Sequence, residues 1–237
     1  MKKYQWNIKM ENNLWTFGCS FTYGFGCIKD DEGSEYYENY YDKSKQHDIW
    51  PNHLGKFLNY SVKNFGVNGY SNWDIIDTII EQQPNIKEND IVVIGKTRYD
   101  RNRYPDGNGE WIHPGDKIYN IKNFDSWGAF IEEQEKRNKP LTLDKIKTII
   151  DFQLQFANHS LYKKRQNLYY DYLIDTIYKL NKVKKVTFFN VPDLYEFETI
   201  YTHTNKKIFD KHLSFNGHLN FAKKLYKKIT NTSINKI

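Results

Sequence analysis

Only two cysteines, Cys19 and Cys27, occur in 237 residues. Two thiols exclude a disulfide framework and a cysteine-rich zinc site. Long apolar runs are also missing. The longest is Ile91-Val92-Val93-Ile94, far short of the ~20 residues a membrane helix needs. Lys2 and Lys3 have no apolar block behind them, so no secretory signal is expected. The expectation is a soluble, cytoplasmic protein with two free thiols and no membrane partner. His47, His53, His113, His159 and His203 lack metal-ligand spacing, so no metal is expected.

Charge of one sign is scarce too. The net charge is +6, from 35 basic and 29 acidic residues, and the lysines gather in segments with a helical pattern, where they read as solvated faces. No helix-turn-helix, zinc-finger or RNP-like signature accompanies them, so no nucleic-acid partner is expected. What the chain does have is aromatic content, 17 % against 39 % hydrophobic residues overall. That suits one domain whose core leans on Tyr and Phe.

Taken in order, the pattern alternates strands and helices. The aromatic stretch over about 13–18 reads as a strand and runs into Gly18-Cys19-Ser20. Residues 25–48 read as a first insertion, rich in tyrosine and carboxylates. Trp50-Pro51 opens a helix, with proline where its missing N–H costs nothing. A second strand over 60–66 ends in Gly66, and a turn-rich loop follows to Asn72. Ser71 and Asp74 resemble a capping box, with Ile75, Ile76, Ile79 and Ile80 expected on the buried face. Asp90 to Gly95 is a third strand, apolar throughout as in parallel sheets covered on both faces.

Residues 98–141 lose all period and form a second insertion. A helical pattern returns over 142–181, with Ile146, Ile149, Ile150, Leu168, Tyr172, Leu173, Ile177 and Leu180 as its expected core side. A fourth strand begins at Lys185, and a last helix begins near Ser214. Strands alternating with helices imply a single doubly wound α/β/α sandwich with a mostly parallel sheet. In such sheets ligands bind at the carboxyl ends of the strands.

Four short stretches stand at that edge. They are Gly18-Cys19-Ser20, Asn64-Phe65-Gly66-Val67-Asn68-Gly69, Gly95-Lys96-Thr97-Arg98, and the run from Asp210 through His212 to Gly217 and His218. In order and spacing, from 13 to 230, they resemble the motifs of the SGNH (GDSL-type) hydrolases. The resemblance extends to SGNH-like domains of viral structural proteins, for which the location would be a virion. Three departures stand out: Cys19 replaces the usual Asp, Thr97 stands where the family has Asn, and the acid lies two rather than three residues before the histidine.

The resemblance implies a cofactor-free ester hydrolase acting on a small-molecule or glycan ester. An O-acetylated carbohydrate is the expected substrate, because aromatic faces suit flat sugar surfaces. Ser20 would be the nucleophile, which needs a base to take its proton. His212 would be that base, and Asp210 would hold the imidazole in the right tautomer. The N–H groups of Ser20 and Gly69, with Thr97 or Arg98, would stabilise the oxyanion. Several alternatives stay open: Asp193 as the acid, a Cys19–His212 pair, and purely structural duties for His212 and His218. So do glycines 66 and 69 needed only for positive φ, a non-catalytic binding or structural module, acyl transfer to a sugar, and an oligomer.

Overall fold

Ile91, Val92, Val93 and Ile94 are all fully buried in the computed structural model of the protein, which describes residues 12–24, 49–99, 101, 104–105, 111–112, 159–199 and 212–231. An unbroken apolar strand needs cover on both faces, and its residues do divide between two cores. Ile91 and Val93 join Leu14, Trp50, Leu54, Phe221 and Leu225 on one side. Val92 and Ile94 join Trp15, Phe17, Ile75, Ile79, Tyr170 and Leu173 on the other.

The strands between these cores are β1 (Asn13–Gly18), β2 (Ser61–Gly66), β3 (Ile91–Lys96) and, after the short antiparallel pair β4 (Tyr104–Pro105) and β5 (Trp111–Ile112), β6 (Lys185–Asn190). The four form a parallel sheet in the order β2-β1-β3-β6. Gly18 of β1 stands opposite Gly66 of β2, so both strands end at one level. The helices are α1 (Ser20–Tyr23), α2 (Trp50–Leu58), α3 (Asn72–Gln82), α4 (His159–Thr176) and α5 (Phe215–Thr230). Buried residues of α2 and α5 cover one face of the sheet, and those of α3 and α4 cover the other. The expected α/β architecture is the one observed.

At the amino ends of the strands, buried Asp90 ties β1 to β3. Its carboxylate accepts the Asn13 N–H at 2.7 Å, the Trp15 indole N–H at 2.7 Å and the Lys87 N–H at 2.9 Å. The opposite ends are left to carry loops. The Ser71–Asp74 capping box forms as the sequence indicates, with Ser71 accepting from the Asp74 N–H and Asp74 accepting from the Ser71 N–H at 2.7 Å.

Two helix faces differ from the expectation. Ile80 is 52 % exposed while Ile79 is buried. In α4 and the turn after it, Tyr170, Leu173 and Ile177 are buried, but Leu168, Tyr172 and Leu180 are 60, 70 and 70 % exposed. Apolar side chains surround α4, so its period is ambiguous, and a buried polar residue, Gln166, marks the true inner face. Leu180 falls in a π-turn, Ile177–Asn181, which takes it out of α-helical phase. The expected positions Ile146, Ile149 and Ile150, the first insertion and most of the second lie outside the described residues. No described helix is long and apolar enough to cross a membrane.

Candidate active site

β1 ends in Gly18, and the chain turns at once into the single helical turn α1, with Cys19 extended at its N-cap (φ −94°, ψ −155°). Ser20 is therefore the first residue of the helical turn, two past the carboxyl end of a central strand, and it is 8 % exposed. The turn lies directly on the sheet because the strand ends beneath it are glycines. A Cβ on Gly18 would stand 2.1 Å from Thr22 Oγ1, and one on Gly95 would stand 2.9 Å from the same atom. At Gly66 a Cβ would meet the Tyr23 nitrogen at 2.3 Å and the Thr22 carbonyl carbon at 2.6 Å.

Hydrogen bonds from neighbouring elements hold the turn. The Trp50 indole N–H donates to the Phe21 carbonyl at 3.0 Å, and the Asn64 amide donates to the Thr22 carbonyl at 3.0 Å. These satisfy carbonyls that a four-residue helix leaves without internal partners.

His212 arrives from the other end of the chain. Its Nε2 lies 2.8 Å from Ser20 Oγ, across 192 residues of sequence. Its ring stacks on Phe21, with centroids 4.4 Å apart and planes 29° from parallel. The segment carrying it is anchored just beyond. Leu213 bridges to Thr199, and the Ser214 N–H donates to the Glu198 carbonyl at 3.1 Å. Ser214 Oγ donates to Glu198 Oε1 at 2.5 Å and accepts the Gly217 N–H at 3.1 Å, capping α5. A Cβ at Gly217 would stand 2.0 Å from the Glu198 carbonyl oxygen, so the backbone at Glu198 and α5 fit together only around glycine.

His218, one helical turn further, is buried, and its Nδ1 accepts the Trp50 backbone N–H at 3.1 Å. Burial, with His53 and His212 nearby, lowers its pKa from the ordinary 6.5 to about 3. It stays neutral, pinning the start of α2 to α5. That is a structural duty.

The remaining candidate residues follow β2 and β3, the neighbours of β1. Gly69 has φ +81° in the turn from Val67 to Tyr70, a conformation for which glycine is suited. Gly66 does not share it. Its need is the close approach of α1 rather than a positive φ, so of the two glycines for which the positive-φ alternative stayed open it applies to Gly69 alone. The Val67 N–H donates to the Gly18 carbonyl at 3.1 Å, tying this loop to the end of β1.

Thr97 is buried, and both its backbone groups are engaged by Asn72. Asn72 Oδ1 accepts the Thr97 N–H at 2.9 Å, and Asn72 Nδ2 donates to the Thr97 carbonyl at 3.0 Å. Of Thr97's donors, only the hydroxyl is left for an oxyanion. Asn72 is itself fully engaged, donating to Gln166 Oε1 at 2.9 Å and accepting from the Tyr170 hydroxyl at 3.1 Å. Burial above all raises the Tyr170 pKa well beyond 10, so the phenol remains a donor. Arg98 is exposed. Lys96 lies over the rings of Phe188 and Tyr170, at 4.4 and 4.7 Å, and its pKa is lowered by burial and partly restored by Asp171.

Asp210 lies outside the described residues. Asp193 Oδ2 accepts the Asn190 N–H at 3.0 Å and the Asn190 side-chain amide at 3.1 Å, so it caps its own turn. Cys19 is 1 % exposed and packs in the hydrophobic core behind the turn. Among the described residues no cluster of His, Cys, Asp or Glu could hold a metal ion. Sequence patterns did not single out Asn72, Phe21 or Glu198, and they placed Asn64 in the second motif without a role of its own. An Asn at the end of a strand, before a glycine loop, was the one available signal.

No family model and no curated protein matches the sequence. Solved structures do resemble it. A G-D-S-L family protein from Desulfitobacterium hafniense DCB-2 matches over 91 % of this chain and 98 % of its own, at 16 % identity and a TM-score of 0.38. The acetyl xylan esterase Est2A from the rumen bacterium Butyrivibrio proteoclasticus matches over 94 and 64 %, at 14 % identity and a TM-score of 0.44. A catalytic mutant of Axe2, an acetylxylan esterase from Geobacillus stearothermophilus, matches over 93 and 95 %, at 14 % identity and a TM-score of 0.33. Likeness this distant says nothing about reaction or substrate, and the fold rests on the strand order and register described above.

Proposed function

We propose that the protein is a serine ester hydrolase that works through an acyl-enzyme on Ser20. The observation that supports this most is the 2.8 Å approach of His212 Nε2 to Ser20 Oγ. It is the separation a base needs to take a hydroxyl proton during attack. In the first half-reaction, Ser20 Oγ bonds to the ester carbonyl carbon while its proton passes to His212 Nε2. The carbonyl electron pair moves to oxygen, and the oxyanion is met by the Ser20 and Gly69 N–H groups and by Thr97 Oγ1 or Arg98. Collapse expels the alkoxide, which takes the proton from His212. Water repeats the sequence on the acyl-enzyme and releases the acid. Asp210 is proposed as the partner of the second imidazole nitrogen, holding the tautomer that leaves Nε2 free to accept.

For the substrate we propose an O-acyl ester of a carbohydrate, with acetyl as the acyl group. Tyr195, 47 % exposed, stands 6.2 Å from Phe21, whose ring in turn stacks on His212. An exposed aromatic side chain one ring removed from His212 supports a sugar packing there.

The test is turnover of p-nitrophenyl acetate and of acetylated xylo-oligosaccharides by wild type and Ser20→Ala. Loss of at least about a thousandfold in kcat is expected for the variant. Undiminished turnover would end the proposal.

A further inference from the structure

The asparagine that opens the second motif has no role in the chemistry just described, yet its side chain touches three parts of the site. Asn64 Oδ1 accepts the Thr16 hydroxyl of β1 at 3.1 Å and the Gly66 N–H at 2.9 Å. Asn64 Nδ2 donates to the Thr22 carbonyl of α1 at 3.0 Å. The oxygen's two lone pairs are both used, and the amide cannot be flipped without setting oxygen against oxygen and N–H against N–H. The orientation is thus unique. One planar group joins β1, the turn that carries Ser20 and the loop that leads to Gly69.

We propose that Asn64 is a positioning residue for catalysis, fixing the seat of the nucleophile turn relative to the second loop. The inference rests on the reading of Ser20 as nucleophile. Gly66 has no Cβ, so α1 rests directly on the backbone of β2. The Asn64 bonds to Thr22 and Gly66 tie the two surfaces of that contact to each other, beside the Trp50 bond to Phe21. Asn64 lies within β2, so it acts through the backbone of Thr22 and Gly66. Its loss should therefore lower kcat and leave substrate binding nearly unchanged.

The experiment compares wild type, Asn64→Asp, Asn64→Ala and Ser20→Ala on p-nitrophenyl acetate. Rates for the Asn64 variants are expressed per phosphonate-titrated site. Asn64→Asp keeps the two bonds to Oδ1 but turns a carboxylate oxygen toward the Thr22 carbonyl. The expected result is a fall in kcat of about tenfold to a hundredfold in both Asn64 variants, with KM within about threefold. The rate of fluorophosphonate inactivation should fall by the same factor. Wild-type kcat in both, or a change confined to KM, would overturn the proposal. Should neither Asn64 variant fold, Thr16→Val decides. It deletes the single 3.1 Å bond, and its kcat should fall about threefold; an unchanged kcat overturns the role. Full activity in Ser20→Ala would instead sink the nucleophile reading. An inactive Ser20→Ala beside a normal Asn64→Asp would sink only the positioning role.

Discussion

Substituting Gly66 by alanine puts a methyl group where the backbone of the nucleophile turn lies. The nearest atoms to the new Cβ would be Tyr23 N at 2.3 Å, Thr22 C at 2.6 Å and Thr22 Cβ at 2.9 Å, whereas ordinary contact starts at 3.4 Å. Two of these are backbone atoms, so no rotamer change relieves the overlap. The turn must lift by about 1 Å, and a misplacement of that size costs on the order of a hundredfold in rate. The strain itself should lower stability by about 1–3 kcal/mol.

Gly69 provides the matched control. A Cβ there meets nothing within 4 Å, but φ is +81°. Gly69→Ala should therefore cost about 1 kcal/mol of stability and lower activity by clearly less than Gly66→Ala, because its N–H is kept and no backbone has to move aside for the methyl group. The assay is kcat/KM on p-nitrophenyl acetate per folded molecule, measured well below both melting temperatures. If Gly66→Ala retains wild-type activity, or if both variants lose activity equally, the seating of α1 on the strand ends is not what places Ser20.

Removing Asn72 should be costly without touching the reacting atoms. Asn72→Ala strips partners from the Thr97 N–H and carbonyl, Gln166 and the Tyr170 hydroxyl, all buried or nearly so. A loss of about 3 kcal/mol or more is expected in urea unfolding, and a loss under about 1 kcal/mol would show that the network relaxes freely. His218 should shape the acid limb of stability. Its pKa is depressed to about 3 in the folded protein against an ordinary 6.5, so its contribution is complete above pH 6.5 and is lost as pH falls toward 3. His218→Asn keeps an acceptor for the Trp50 N–H but does not titrate, so its stability should vary less between pH 3 and 6.5; parallel curves for the two proteins would refute this.

What could be read from the chain and what could not divide along physical lines. β3 was legible because four consecutive apolar residues admit little but a strand covered on both faces. The Ser71–Asp74 cap was legible because it is local. Register on α4 was not, because apolar residues ring that helix and the marker of its inner face is a polar residue, Gln166, satisfied through Asn72 and Tyr99 far away in sequence. In the site, the motif spacings pointed to Ser20 and His212, which the fold brings to 2.8 Å. They gave no hint that Thr97 would have its backbone N–H occupied by Asn72, nor that Phe21 would lie flat against His212. Both depend on tertiary partners that local patterns do not encode. Asp210 falls outside the described residues, and its part in the relay remains a proposal.

The most direct test of the central idea is to find the atom that reacts. Wild-type protein and His212→Ala are treated with a fluorophosphonate, digested, and the adduct mapped by tandem mass spectrometry. The expected result is stoichiometric phosphonylation of Ser20 in wild type, with labelling slowed by orders of magnitude in the variant. An intact, folded wild type that takes up no label, or an adduct on Cys19 in its place, would contradict the account.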